Sequence, residues 1–498
     1  MSRTVAIIGG GPAGLAAARL IKVNDPRALV TIYERADASG ETFGFGVGLT
    51  ESTMSNMAKA DPITADRLRE ASHAGHSLVL RTGGREVGLH GARNLAIGRA
   101  ALLEVLTKSA LEAGVEIRLG CKAGVADVQA DVVVAADGAR SAVRERLAHR
   151  LGVSITYGSL HYMWCGTDFA VSNANFTWRT RDDAMFVVHA YPYADDRSTF
   201  LIETDDESFR AAGLDRFAAE APAGESDERS LALLEDVFSE ELGGRRLLAN
   251  RTRWAQFPTV SLRNWSAGNV VLIGDAAHTA HYTIGSGTKL ALEDAIALAE
   301  ALAEHDDTDA AFAAYETARR PYVDRFKHLA ARSQNWWSSF RERAAQAPER
   351  IALSYMTRAG NLGIEHYAAE YPETARAALA PLGEAPVGEP DTVGDWVLGR
   401  APDVATADLA GALRAEWDGG EVWGPAHDAF VARLSGEDAD VIVVGGPSDP
   451  KHVGARIDVA ERVRWAGKTV VVEVPSALRT EAAAAVGAGR ADAVVLVG

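Results

Sequence analysis

The chain has 498 residues, 47% apolar and 24% charged, which is enough for a large core and more than one domain in an ordinary soluble composition. Its net charge of −17 excludes a general nucleic-acid binder, which needs basic surface against phosphates. Only two cysteines occur, Cys121 and Cys165, in no disulfide framework and at no metal-ligand spacing, so no metal site is expected.

Residues 5–8 (Val-Ala-Ile-Ile) are a short apolar run that stops at Gly9-Gly10-Gly11, as a buried parallel strand does. Residues 13–21 carry Leu15, Ala16, Leu20 and Ile21 at helical spacing, and residues 29–33 are a second strand. A helix is expected over 101–113, a strand over 115–119, and a strong strand over 131–136 ending in Asp137-Gly138. From 156 to 204 aromatic and polar residues alternate, which predicts antiparallel sheet. Residues 221–228 read as a surface loop, 270–273 as a buried strand ending in Gly274-Asp275, and 289–304 as a helix. Helices continue from 315 to 340, and Pro381, Pro386 and Pro390 mark a boundary. The tail alternates strand 441–444, helix 453–465, strand 469–474, helix 480–486 and strand 493–497.

The expected fold class is α/β: a Rossmann-like nucleotide-binding domain with an inserted antiparallel sheet, a helical segment and a small C-terminal βαβαβ module. The boundaries drawn are 1–155 with 250–375 for the nucleotide-binding domain and its helical extension, 156–249 for the substrate sheet, 376–438 for a linker and 439–498 for the module. No signal-peptide pattern and no apolar stretch of ~20 residues is read, so a soluble cytoplasmic protein without membrane or nucleic-acid partner is expected.

Gly9-Gly10-Gly11-Pro12-Ala13-Gly14 fits G-x-G-x-x-G between a strand and a helix. Gly9 permits the tight turn, Gly11 lets backbone approach a pyrophosphate, and Gly14 lets helix and strand pack closely, with Ala13 in the opening turn. Glu34 ends the second strand beside Arg35, where a carboxylate can accept ribose hydroxyl bonds. This much suits NAD or FAD. Two distant segments favour FAD: Asp137-Gly138, and Gly274-Asp275 followed by Gly285-Ser286-Gly287-Thr288-Lys289. An Asp at a strand end can hold a ribityl hydroxyl, and the glycines let backbone N–H groups face a flavin carbonyl.

In that order the three segments resemble the group A flavoprotein monooxygenases, the aromatic hydroxylases built like 4-hydroxybenzoate hydroxylase, over about residues 1–375. Arg99, in Gly98-Arg99-Ala100, matches the arginine that contacts FAD in that family. The segments 44–48, 189–193, 278–289 and 319–321 look like the aromatic acyl-CoA branch, which includes salicylyl-CoA 5-hydroxylases and 2-aminobenzoyl-CoA monooxygenases. Where the family often has two prolines and a later Asn, this chain has His281-Tyr282 and Lys289. Residues 460–464 and 488–492 resemble the last βα units of an Old Yellow Enzyme barrel, shortened here to a remnant.

The resemblance implies bound FAD, NADH or NADPH as co-substrate, and O₂ forming a flavin C4a-hydroperoxide that hydroxylates an electron-rich ring on an aryl-CoA or carrier-bound thioester. The alternatives kept open are a hydroxylase of a free indole or tryptophan-like metabolite, and a non-catalytic flavin-binding scaffold; a homodimer is also left open. His281 is the candidate acid/base or orienting group, and Tyr282 a candidate for stacking or hydrogen bonding to the ring. The glycine run 43–48 is expected beside the isoalloxazine. Trp336-Trp337 with Arg319, Arg320, Arg325 and Lys327 is either a CoA or carrier-arm surface or core packing with a solvated helix face.

Overall fold

The computed structural model describes residues 2–37, 45–82, 85–400, 409, 411–417 and 425–498; Phe43 and Gly44 of the glycine run lie outside them. The chain divides into two compact units, one of Met1–Leu78 with Ala92–Ala330 and one of Val79–Gly91 with Ala331–Gly498.

The first unit is built on a six-stranded sheet in the order Ser266–Ala267, Val270–Leu272, Val132–Ala135, Thr4–Ile8, Leu29–Tyr33, Glu116–Arg118. All its pairings are parallel except that of the short edge strand Ser266–Ala267. Val132, Val133, Val134 and Ala135 are all buried, so a run of valines serves both faces at once. Helix Pro12–Asn24 opens on a proline, whose missing N–H costs nothing there, and buries Leu15, Leu20 and Ile21. Each of those side chains contributes roughly 1.5–3 kcal/mol by leaving water. Strand Thr4–Ile8 has the next strand of the chain, Leu29–Tyr33, on one side and the later strand Val132–Ala135 on the other. That is the switch point at which the carboxyl ends of such a sheet open a crevice.

The same unit contributes to an eight-stranded sheet in the order Ala255–Leu262, Val153–Thr167, Arg197–Thr204, Ala184–Ala194, Ala174–Arg181, His73–Thr82, Arg85–Gly98, Gly46–Leu49. The sequence pattern located its middle strands; the flanking ones, from 46–98 and 255–262, lack their aromatic alternation. Side chains alternate between the faces. Met163, Cys165, Phe186, Val188, Phe200 and Ile202 pack with Phe209, Leu231, Leu234 and Phe238 from the helices that follow. Tyr162, Trp164, His189 and Glu203 take the other positions, with Glu203 directly opposite Tyr162 in the pairing.

The second unit holds the helices Pro348–Thr357, Ile364–Glu370 and Pro372–Leu379 and a parallel sheet in the order Leu413–Glu416, Val441–Gly445, Thr469–Pro475, Ala493–Val497. The last three strands and the helices Pro450–Trp465 and Arg479–Gly487 fall where the tail's alternation puts them. Within 376–438 the structure describes helix Pro390–Arg400, strand Leu413–Glu416, paired with Val441–Gly445, and helix Pro425–Ser435. No helix among the described residues is long and apolar enough to cross a membrane.

Candidate active site

The glycine turn leaves strand Thr4–Ile8 with Gly9 at φ +108°, and a Cβ there would meet the Ala136 carbonyl oxygen at 2.4 Å. A Cβ on Gly14 would meet the Gly9 oxygen at 2.1 Å, so Gly14 is required by packing. Gly11 differs: a Cβ there meets no protein atom within 4 Å. The helix it precedes has no side-chain cap, so its first-turn donors face that space. Glu34 accepts the Gly10 N–H at 2.6 Å and the Ala36 N–H at 2.8 Å, which ties the acid to the turn while leaving it further lone pairs. Arg35 is exposed beside it, and Ala13 is buried against Gly274.

Asp137 accepts the Val143 N–H at 3.2 Å through one oxygen, and its other oxygen is buried with no partner. Arg144, unremarked in the sequence, joins the two distant Asp segments: its guanidinium donates to the carbonyls of Asp275 at 3.2 Å and Ala276 at 3.0 Å. Asp275 is exposed to solvent while protein crowds its carboxyl. That crowding, with Asp294 nearby, pushes its carboxyl up against the opposing pull of His278, Arg99 and Arg144. Arg99, expected to touch FAD, is thus brought into the field of Asp275. Gly285, at φ +62°, and Gly287 would each carry a Cβ into space free of protein atoms within 4 Å, and the Ser286 hydroxyl between them is buried and unpartnered. Thr288 is half-buried in the opening turn of helix Gly287–Glu304. Open backbone, an orphaned carboxylate oxygen and an orphaned hydroxyl fit an elongated dinucleotide.

Lys289, in the opening turn of the same helix, is buried, and its ammonium donates to Glu293 Oε1 at 2.5 Å and Ser52 Oγ at 3.1 Å. Its charge is committed to the helix and its neighbours. His278 is a buried core histidine whose Nε2 lies 2.7 Å from Asp294 Oδ2.

His281 and Tyr282 stand in an aromatic cage. The Tyr282 ring lies 5.1 Å from Tyr162, 5.9 Å from Trp164, 5.7 Å from Phe257 and 4.1 Å from His281, centre to centre. Its hydroxyl donates to Glu203 Oε2 at 2.7 Å, and His189 Nε2 lies 2.8 Å from Glu203 Oε1. Burial pushes the Glu203 carboxyl up, but His189 and the Tyr282 hydroxyl hold it below the usual range, so it is a carboxylate. Burial drives His281 down to about 4, so the imidazole is neutral near pH 7 rather than titrating there; its Nδ1 is 3.2 Å from Thr283 Oγ1. The Trp164 indole nitrogen is buried with no partner. Gly46 must be glycine because Tyr193 packs where its Cβ would be, at 2.5 Å, while Tyr191 donates to its carbonyl at 2.7 Å.

Residues 104–330 match the FAD binding domain family. The chain is 38% identical to salicyloyl-CoA 5-hydroxylase of a Streptomyces species, over 71% of this chain and 69% of that one. It is also 38% identical to 3-hydroxy-4-methyl-anthranilyl-[aryl-carrier protein] 5-monooxygenase of Streptosporangium sibiricum, over 74% of this chain and 97% of the relative. The chain belongs to the FAD-dependent aromatic monooxygenases. This monooxygenase binds FAD and uses NADH or NADPH as co-substrate. Protodeoxyviolaceinate monooxygenase of Chromobacterium violaceum is 30% identical over 72% of this chain and 95% of its own. Among solved structures, 2-methyl-3-hydroxypyridine-5-carboxylic acid oxygenase shares the fold at TM-score 0.56 and 20% identity, covering 77% of this chain and 98% of that one.

Sequence reasoning missed Glu203, Asp294 and Arg144 in this monooxygenase. The one signal for Glu203 was a lone acid ending the apolar run Phe200-Leu201-Ile202 in a strand. Of the basic and aromatic residues after 318, Trp336 and Trp337 are buried and Arg319 is spent on Asp294, so core packing accounts for these three.

Proposed function

We propose that this monooxygenase hydroxylates an electron-rich aromatic ring carried as a coenzyme A or carrier-protein thioester. The observation that carries the reading is the aromatic cluster of Tyr162, Trp164, Phe257, His281 and Tyr282, in which the Tyr282 hydroxyl is held by buried Glu203. An aromatic ring fits such walls by stacking and edge contacts. The thioester part rests on the two relatives at 38% identity, whose names specify a CoA and an aryl-carrier substrate.

In this reading 1–155 and 250–375 form the FAD-binding part with its helical extension, 156–249 the substrate sheet, and 439–498 an accessory module. Gly9, Gly11, Ala13 and Gly14 receive the pyrophosphate, and Glu34 with Arg35 the ribose. Asp137, Asp275 and Arg99 hold the ribityl side, and the backbone of Gly285, Gly287 and Thr288 faces the ring system. When bound, FAD supplies hydride acceptance from NADH or NADPH and activation of O₂ for transfer of one oxygen atom. The chain's own part is to hold the substrate ring, exclude water and manage one proton. Neutral His281 acts as a hydrogen-bonding wall, and Tyr282 holds the ring's polar substituent.

A purified sample with flavin absorbance, assayed for ligand-stimulated NAD(P)H oxidation and product mass, tests this. Aryl-CoA thioesters should stimulate oxidation and gain one oxygen, whereas the free acids should not. Stimulation by free indoles and not by thioesters would sink the thioester reading in favour of the indole one that the Chromobacterium relative suggests.

A further inference from the structure

Glu203 is 1% exposed, in a strand whose other face puts Phe200 and Ile202 into an apolar cluster. Burying a carboxylate costs several kcal/mol before its partners offset it, and an apolar residue would serve the sheet as well. Both its oxygens are engaged: Oε1 with His189 at 2.8 Å and Oε2 with the Tyr282 hydroxyl at 2.7 Å. Tyr282 is only half-buried and opens the turn Tyr282–Ile284 just before Gly285 and Gly287, whose Cα positions border open space. A phenol that donates to Glu203 keeps lone pairs with which to accept from a ligand hydroxyl or amine. The charged and titratable groups around the pair are His189, His281, Tyr162 and, acting on Tyr162, Arg140.

Resting on the aromatic-hydroxylase reading, we propose that Glu203, backed by His189, is the proton acceptor of the ring hydroxylation, reached through Tyr282. As the ring's hydroxyl or amino substituent pushes its electron pair into the ring, its O–H or N–H bond breaks. That proton goes to the Tyr282 oxygen while the Tyr282 proton passes to Glu203 Oε2. One proton enters the relay and one arrives, no electrons move between protein groups, and the acid returns its proton to solvent along the same path after product release. Tyr282 touches the substrate. Glu203 and His189 are positioning residues behind it.

The test compares wild type, Glu203→Gln, Tyr282→Phe and the double variant as holoenzymes, with salicyloyl-CoA and 2-aminobenzoyl-CoA as probes. FAD content, melting temperature, product, hydrogen peroxide and the pH profile of kcat are all read. Glu203→Gln should keep its FAD, lower product kcat by about 10²-fold, change KM less than threefold and divert NAD(P)H oxidation to peroxide. It should also abolish the fall in kcat on the acid side of the profile. Tyr282→Phe, which leaves the Glu203–His189 pair intact, should do the same, and the double variant should be no slower than either single one. Product kcat within twofold of wild type in either variant, an unchanged acid limb, or losses that multiply in the double variant would overturn the relay. Wild type that hydroxylates neither thioester but a free indole overturns only the thioester part, and the relay is then read with that indole. No hydroxylation of any of these rings overturns both.

Discussion

Arg319 Nε meets Asp294 Oδ1 at 2.9 Å with both side chains buried, and Asp294 gives its other oxygen to His278 at 2.7 Å and to the Gly274 N–H at 2.9 Å. Two helices thereby set the position of the Gly274-Asp275 turn: Gly287–Glu304 supplies the acid and Thr308–Ser338 the arginine. Burial pushes the Asp294 carboxyl up, but His278 and Arg319 hold it below the ordinary range.

Removing one partner of such a cluster strands the other. Asp294→Ala leaves Arg319 with only Glu293, at 3.2 Å, and frees the Gly274 N–H. The expected loss is about 3–5 kcal/mol in urea unfolding, together with weaker FAD retention because the turn loses its anchor. The pair Asp294→Leu with Arg319→Met should cost less than the sum of the singles. A loss below about 1 kcal/mol for Asp294→Ala would mean that the turn is set by its neighbours alone.

The glycine turn separates binding from folding. Gly11→Val places its side chain where no protein atom stands within 4 Å, on extended backbone at φ −77°. The apo-protein should therefore melt within about 1 kcal/mol of wild type while losing FAD. Gly14→Ala drives a methyl into the Gly9 oxygen and should destabilise the apo-protein itself by roughly 1–3 kcal/mol. Stoichiometric FAD on Gly11→Val would remove that residue from the pyrophosphate site.

Much of this was legible in the chain. Strands 29–33 and 493–497 and the helix end at Trp465 are read to the residue, because apolar runs and helical spacing are local signals. Gly9, Gly11 and Gly14 are legible for the same reason: a turn between a strand and a helix constrains each one. Glu203 was not, since its meaning depends on Tyr282, 79 positions away, and on cross-strand His189. The ion pair of Lys289 with its i,i+4 partner Glu293 was not read from the chain either, because such a pair declares itself only once both side chains are buried on one helix face. Strand Leu413–Glu416 was missed because four residues with two charges carry no strand signal until they pair with Val441–Gly445.

Two buried histidines predict acid lability. Burial lowers His281 and His427 from 6.5 to about 4 each. Between those values the unfolded chain binds more protons, so the stability they carry is complete above pH about 6.5 and is lost as pH falls toward 4. The shift of each corresponds to roughly 3 kcal/mol at about 1.4 kcal/mol per unit. The lowered carboxyls of Glu203, Asp294 and Glu461 act in the same direction further down, losing their contribution as pH falls through their folded values. The raised Asp275 and Asp458 act oppositely. Unfolding free energy measured from pH 7.5 to 5 should fall in wild type and fall less in His427→Gln, whose amide oxygen can still accept from Arg462 as His427 Nδ1 does at 2.8 Å. Equal slopes in the two proteins would exclude His427 as a source.

In the second unit, Glu461 is the centre of a buried cluster. Arg343 pairs with it through two bonds of 2.7 Å, Arg490 adds a third at 2.7 Å, and Arg490 also bonds Asp458. Burial pushes Glu461 up, yet the two guanidiniums bring it to about 2. Arg343 comes from helix Phe340–Arg343, Glu461 from Pro450–Trp465 and Arg490 from the turn after Arg479–Gly487. One carboxylate therefore ties together three segments, with Arg343 118 positions and Arg490 29 positions from Glu461 along the chain. Glu461→Gln keeps the shape but offers one acceptor oxygen to two arginines, and should destabilise by about 3–5 kcal/mol. Arg343→Met should cost less, because Arg490 still neutralises Glu461 and the methionine refills the space beside Trp336 and Trp465, whose rings lie 5.0 and 5.3 Å from the guanidinium. Denaturant unfolding of the two variants checks the order. If Arg343→Met proves the costlier, the arginine's packing on the indoles outweighs its charge.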